Sequence, residues 1–240
     1  MQRYFGEVFE GRAILNEGDV FHLSKVMRAK MGTEIEIVSS GRVYLGRVEK
    51  VKPLLIVVIK EINEQHELKN DIVLVMAPLK GDKTDLVLQK AAELGVHEIV
   101  LIATSRSVVR FKKEEIAHKL VRFQKILKEA SEQAQRTYIP LISYHDSWSA
   151  LSMIRATHKM IAFEEQSGPT TGFNKILKAI KKAERIAVVI GPEGGFSSIE
   201  VEAAKGLGYV PISLGHRILR AETACLYALS VIANSLENEK

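Results

Sequence analysis

An α/β fold preceded by a small β-barrel is what this 240-residue sequence predicts, on three observations. From residue 72 onward, short β-branched runs alternate with amphipathic stretches of helical period, the pattern of a parallel sheet covered on both faces. Residues 1–68 hold short alternating strands and tight turns instead, which suggest a barrel. Between the two, Ile62 to Asp71 is polar and reads as a linker. The chain therefore divides into two domains, 1–68 and 72–240.

In the first domain, Glu34-Ile35-Glu36-Ile37-Val38 alternates, Ser39-Ser40-Gly41 turns, and Arg42 to Val51 runs back. Leu54 to Ile59 is a third strand after Pro53. His22 to Lys30 is a short helix carrying Lys25, Arg28 and Lys30, cations that suit a solvated face or a phosphate contact. In the second domain, Ile72 to Met76 is a strand, Asp82 to Leu94 an amphipathic helix, and Glu98 to Ile102 a strand. Asp82 is placed to cap that helix and Gly95 to end it. A long helix follows over about Lys112 to Gln135. Its apolar stripe is Ile116, Leu120, Phe123, Leu127, Ala130 and Ala134. A polar stripe carries Arg122, Lys125, Glu129, Gln133 and Arg136, which by itself reads as exposed i,i+4 pairs. Further strands are Leu141-Ile142, Lys159 to Phe163, Ile186 to Ile190 and Val210 to Leu214. Helices fall near Ser149–Ala156, Phe173–Lys182 and Ser198–Leu207. Cys225 to Leu236 is a helix apolar nearly all round, fit for a core or for an interface between copies. Pattern alone makes this an open doubly wound sheet.

Composition removes several function classes. The net charge is +5, from 34 Lys and Arg against 29 Asp and Glu spread along the whole chain, so charge alone marks no nucleic-acid block. No apolar run approaches the roughly 20 residues of a membrane helix, and Met1-Gln2-Arg3 opens no signal peptide. The single cysteine, Cys225, allows no internal disulfide and reads as a core thiol. A cytoplasmic protein without a membrane partner follows. The seven histidines are scattered, so no metal site is expected. A phosphate loop needs Lys-Ser/Thr after its glycines, and a dinucleotide fingerprint needs G-x-G-x-x-G. Gly191, Gly194 and Gly195 match neither.

What remains is Gly191-Pro192-Glu193-Gly194-Gly195-Phe196-Ser197 after one strand and Leu214-Gly215-His216-Arg217-Ile218-Leu219-Arg220-Ala221-Glu222-Thr223-Ala224 after the next. Glycine exposes main-chain N–H and C=O groups that a Cβ would shield, so these turns make a backbone-lined pocket edge.

The two motifs together resemble the 16S ribosomal RNA uracil-N3 methyltransferase family (RsmE-like), of the knotted SPOUT class. The resemblance extends to Arg3-Tyr4-Phe5, His22 to Arg28, Lys80, Glu93-Leu94-Gly95, Thr104 to Val109, and Glu132-Gln133 with Arg136. It covers essentially the whole chain. It implies a PUA-like RNA-binding barrel over 1–68 and a SPOUT domain with a deep trefoil knot over 72–240. The cofactor implied is S-adenosyl-L-methionine, and the activity is methylation of N3 of a uridine in small-subunit ribosomal RNA, naked or in the assembled subunit. A homodimer with the cleft at its interface is also implied.

The implied cofactor loops are Phe163-Glu164; Gly191, Pro192, Glu193, Gly194 and Gly195; and Leu214, Gly215, Arg217, Ile218, Leu219 and Ala221. Catalytic candidates are Arg220, Glu222, Glu129 and Arg136. Glu132 is a further candidate base, and the sequence does not choose among the three glutamates. RNA contacts are expected from Arg3, Lys25, Arg28, Arg106 and Gln133. A non-catalytic assembly factor and a transfer RNA methyltransferase are the competing readings.

Overall fold

The computed structural model describes residues 1–63, 66–163 and 171–238. The chain forms two compact units: Met1–Glu67 with Ser131–Tyr138, and Leu68–Ala130 with Ile139–Lys240.

The first unit is a closed barrel of five strands in the order β1-β2-β5-β4-β3. These are β1 (Arg3–Phe9), β2 (Arg12–Leu15), β3 (Glu34–Ser39), β4 (Arg42–Val51) and β5 (Leu54–Ile62). β1 closes the barrel by pairing parallel with β3, and every other pairing in it is antiparallel. Tyr4, Leu15, Leu23, Ile35, Ile37, Val48 and Ile56 fill the interior. Between β2 and β3 lies α1 (Glu17–Phe21), which runs on into one wider turn over His22–Val26. The Asn16 side chain accepts from the Asp19 N–H and caps α1.

The second unit is a six-stranded, wholly parallel sheet. Its strands are β6 (Asp71–Met76), β7 (Glu98–Ile102), β8 (Leu141–His145), β9 (His158–Ala162), β10 (Arg185–Ile190) and β11 (Val210–Ile212). Their order is β11-β9-β10-β6-β7-β8. Along β6, Ile72, Leu74 and Met76 face one core while Val73 and Val75 face the other. That explains the unbroken apolar run: both faces of a parallel sheet are buried. α2 (Lys83–Glu93), α3 (Lys113–Gln133), α4 (Thr171–Leu177) and α6 (Ala221–Glu237) supply the first core. α5 (Ser198–Gly206) and a 3₁₀ turn over Trp148–Met153 supply the second. Cys225 is buried in the first core, and that burial pushes its thiol pKa up.

Several elements differ from the sequence expectation. The segment near 149–156 is 3₁₀ rather than α-helix, α4 ends at Leu177, and α6 begins four residues before Cys225. β1 and β2 carry exposed apolar residues (Phe9, Ile14) among charges, which blurs their alternation.

Candidate functional site

A cavity of about 380 Å³ opens at the C-terminal ends of β9, β10 and β11. In open parallel sheets ligands bind outside these strand ends, where strand order reverses. Its volume lies within the range of small-ligand pockets.

Each wall has a local cause. β10 ends at Ile190, and the chain turns through Gly191 to Ser197 before α5. The Gly195 N–H donates to the Pro192 carbonyl at 2.9 Å, and Gly195 takes φ +67°, a conformation that favours glycine. A Cβ on Gly191 would stand 3.2 Å from the Phe196 ring and 3.4 Å from the Gly195 backbone, so a side chain there crowds the turn. After β11, Gly215 takes φ +112° and donates its N–H to Ser213 Oγ at 3.1 Å. The following loop brings Leu214, Arg217, Ile218 and Leu219 to the cavity before α6 starts at Ala221.

The glycine turn is clamped from outside. Ser197 and Glu200 form a reciprocal capping box on α5. The buried Glu200 carboxylate also accepts the Ser105 N–H at 2.7 Å and the Ser105 hydroxyl at 2.9 Å. Arg106, next along the loop after β7, donates to the Gly194 carbonyl at 3.1 Å. Burial alone would raise the Glu200 carboxyl pKa; the bonds from Ser105 and Ser197 outweigh it and hold it below the ordinary value.

A second charged group lies at the start of α6. Glu222 Oε1 is 3.1 Å from Lys83 Nζ, and Lys83 lines the cavity beside Arg220. Glu222 Oε2 is buried and has no hydrogen-bond partner. Burial pushes this carboxyl up, yet its own backbone N–H, Lys83 and the charge of Arg220 outweigh that and hold it below the ordinary range.

The structure gathers most of the expected cofactor residues at one place. Phe163, Gly191, Pro192, Glu193, Gly195, Leu214, Gly215, Arg217, Ile218, Leu219 and Ala221 all line the cavity, as does Arg220. Glu164 lies outside the described residues. Gly194 is not among the residues that line the cavity, and a Cβ added to it would stand 3.2 Å from Arg106 Cβ. Arg106 itself is exposed, as are Lys25, Arg28 and Gln133.

Three of the residues expected to meet RNA or act in catalysis are buried. Arg3, expected at RNA, is fully buried; it pairs with its cross-strand neighbour Glu36 and donates to the Gln135 carbonyl. Arg136, expected on an exposed catalytic stripe, is 3% exposed and held by Glu67 through bonds of 2.6 and 3.1 Å. Glu132 is buried too and accepts the Phe5 N–H at 3.1 Å. Glu129 is exposed and lies 3.8 Å from Lys125.

Sequence reasoning missed Lys83, Phe196 and Ser213 as cavity residues. Phe196 lies within the first motif and Ser213 directly precedes the second, so the motifs themselves were the available signal. Lys83 sits more than a hundred residues upstream at a helix start, where nothing distinguishes it from a surface lysine.

The residues fit S-adenosylmethionine: main-chain groups at two bends, apolar Leu214, Ile218 and Leu219 for an adenine, and the Glu193 carboxylate at the same cavity. Among the described residues, no group of three or more His, Cys, Asp or Glu side chains is placed to hold a metal, and no helix is long and apolar enough to cross a membrane.

Comparison with known proteins places these features. Residues 66–233 match the RNA methyltransferase domain family, and residues 15–61 match the RNA methyltransferase PUA domain family. The ribosomal RNA small subunit methyltransferase E of Bacillus subtilis is 35% identical over 252 residues, covering 99% of this chain and 98% of that protein. The Neisseria gonorrhoeae ribosomal RNA small subunit methyltransferase E, solved bound to S-adenosylmethionine, superimposes with a TM-score of 0.85 at 27% identity, covering 98% of this chain and 97% of that one. A Legionella pneumophila methyltransferase in complex with S-adenosylmethionine gives 0.86 at 28% identity, with the same coverage.

Proposed function

The chain belongs to the ribosomal RNA small subunit methyltransferase E family, and on that premise we propose how its cleft works. It is an S-adenosylmethionine-dependent methyltransferase acting at N3 of a uridine in small-subunit ribosomal RNA. The observation that carries this reading is the cavity at the ends of β9, β10 and β11, lined by both glycine turns.

Bound there, the cofactor supplies an electrophilic methyl group on a sulfonium. This chain's residues hold and orient it. The turn from Gly191 to Gly195 offers main chain, Leu214, Ile218 and Leu219 offer apolar packing, and Glu193 offers negative charge. Of the expected catalytic residues, Arg220 and Glu222 are the two in or next to the cavity. Arg220 is placed to steady charge that develops on the acceptor base or on a flanking phosphate. Because the acceptor atom lies on a Watson–Crick edge, the uridine is unpaired or flipped when it reacts.

The barrel unit contributes RNA affinity through the exposed Lys25 and Arg28, and Arg106 and Gln133 contribute further contacts. Residues 1–68 thus hold RNA and 72–240 carry cofactor binding and chemistry. A trefoil knot is supported by the insertion of β10 between β9 and β6, next to the loops that ring the cavity. A homodimer is supported by Ile218, an apolar side chain 89% exposed at the cavity rim, and by Tyr227 exposed on α6. The protein acts in the cytoplasm, where ribosomal RNA is its partner. Calorimetry with S-adenosylmethionine tests the cleft. Wild-type protein that binds none refutes the assignment.

A further inference from the structure

We infer that Lys83 is a catalytic residue of this cleft, the cation that stabilises the uracil anion, and that Glu222 is its positioning partner rather than a base. The inference rests on the methyltransferase reading above and adds how the acceptor nitrogen is activated.

Methylation at N3 has a proton problem. The imide nitrogen has no available lone pair in the ring plane until its proton has gone. The N3–H bond breaks with its electron pair left on nitrogen, and the proton passes to water. The negative charge spreads onto the two flanking carbonyl oxygens. The N3 lone pair then bonds the methyl carbon as the methyl–sulfur bond breaks and its electrons return to sulfur, leaving a neutral thioether. Two devices overcome the first step: a base near N3, or a cation beside the carbonyl oxygens that makes the anion easier to form.

The geometry disfavours the base. An effective general base has a pKa near the working pH, and the Glu222 carboxyl is held below even the ordinary carboxylate range. Its Oε1 is taken by Lys83, and its Oε2 is shut off from solvent, so neither oxygen is open to a substrate proton. Glu129 pairs loosely with Lys125, and Glu132 accepts a backbone N–H in the barrel unit.

The geometry favours the cation. Lys83 lines the cavity, and its side chain is about one-third exposed, at 34%. Among the described residues, Glu222 is the one side-chain partner of its ammonium, which leaves donor positions for an incoming oxygen. Its placement also runs against local preference. Lys83 is the first residue of α2, where the helix field disfavours a positive charge, while Glu222 stands in the first turn of α6, where a negative charge is favoured. A residue that breaks a local rule beside a ligand cavity is one the site requires. The part-buried carboxylate, 3.1 Å away, fixes the ammonium in place. Lys83 and Arg220 together then meet the developing charge.

The test is Lys83→Gln, with Lys83→Arg and Glu222→Gln beside it, in the full-length protein. Calorimetry with S-adenosylmethionine should give affinities within about twofold of wild type for Lys83→Gln. Turnover on a small-subunit RNA fragment should fall about 10²–10³-fold, the loss seen when one donor to a developing oxyanion is removed. The alkaline rise of kcat should move to higher pH. The defect should shrink on RNA carrying 5-fluorouridine, whose imide is more acidic. Without turnover, the affinity of that RNA should rise with pH for wild type and much less for Lys83→Gln. Lys83→Arg should restore most of the activity, and Glu222→Gln should shift the pH profile in the same direction by less. An unshifted pH profile in a folded Lys83→Gln protein would overturn the inference and leave the pair as a tie between α2 and α6. Loss of cofactor binding in that variant would overturn it too, assigning Lys83 to the cofactor cradle. Failure of the underlying reading looks different, since wild type itself would then bind no S-adenosylmethionine.

Discussion

Arg136→Ala should destabilise the barrel unit severely. Its guanidinium is 4% exposed and bonds the Glu67 carboxylate through two nitrogens, at 2.6 Å from Nη2 and 3.1 Å from Nε. Removing one partner of a buried pair costs roughly 3–5 kcal/mol, because the other charge stays behind uncompensated. Two features lower this figure. The Glu67 side chain is 26% exposed, and it keeps the backbone N–H groups of Thr137 at 2.8 Å and Tyr138 at 3.1 Å. A loss of about 2–3 kcal/mol follows. At roughly 2–4 °C per kcal/mol for a chain of this size, Tm should drop by about 4–12 °C. Thermal and urea unfolding of wild type, Arg136→Ala and Arg136→Lys measure it. The lysine variant should fall between the others, since it keeps the charge but not the two-pronged bond. A loss below about 0.5 kcal/mol, the value for an ordinary surface change, would refute the reasoning and return Arg136 to the exposed stripe.

Other predictions concern the cleft and the RNA surface. Gly191→Val should weaken S-adenosylmethionine binding more than tenfold by calorimetry, because the new side chain meets Phe196 and the Gly195 backbone. Gly194→Val should spare affinity by comparison, since its side chain would press on Arg106 outside the cavity. Glu200 has a lowered folded pKa, so its stabilisation is present above the unfolded carboxylate pKa and is lost as pH falls through the folded value. Glu200→Gln should therefore be less stable than wild type at neutral pH, with the gap closing in an acid titration followed by circular dichroism. Lys25→Ala and Arg28→Ala should each lower RNA affinity and reduce its salt slope by about one, with cofactor affinity unchanged.

The cleft was largely legible because its residues are contiguous in sequence and chemically unusual. Two glycine turns after apolar strands mark backbone-lined bends, and positive φ at Gly195 and Gly215 is what such turns need. What failed depended on distant partners. The polar stripe of α3 was extended one turn too far: the helix stops at Gln133, Gln135 turns at φ +59°, and Arg136 leaves the helical period altogether. Arg3 reads as a surface cation until β1 is paired with β3, which sets Glu36 opposite it. Pairing register of non-adjacent strands is not written in either segment alone. Lys83 is hidden for the same reason, since its significance comes from α6, more than a hundred residues on. The order β11-β9-β10-β6 was equally out of reach of periodicity, which shows that strands are buried on both faces but not which strand lies beside which.

The most direct test of the whole account uses S-adenosylmethionine carrying an isotopically labelled methyl group. Wild-type protein is incubated with small-subunit ribosomal RNA, as naked RNA and as the assembled subunit, and in parallel with transfer RNA, and the labelled nucleoside and its position are read by mass spectrometry of nucleoside and oligonucleotide digests. The account predicts labelled N3-methyluridine at a single position, with the label absent when Gly191→Val replaces the wild type. Label on a ribose oxygen, on another base atom, or in transfer RNA instead would contradict it.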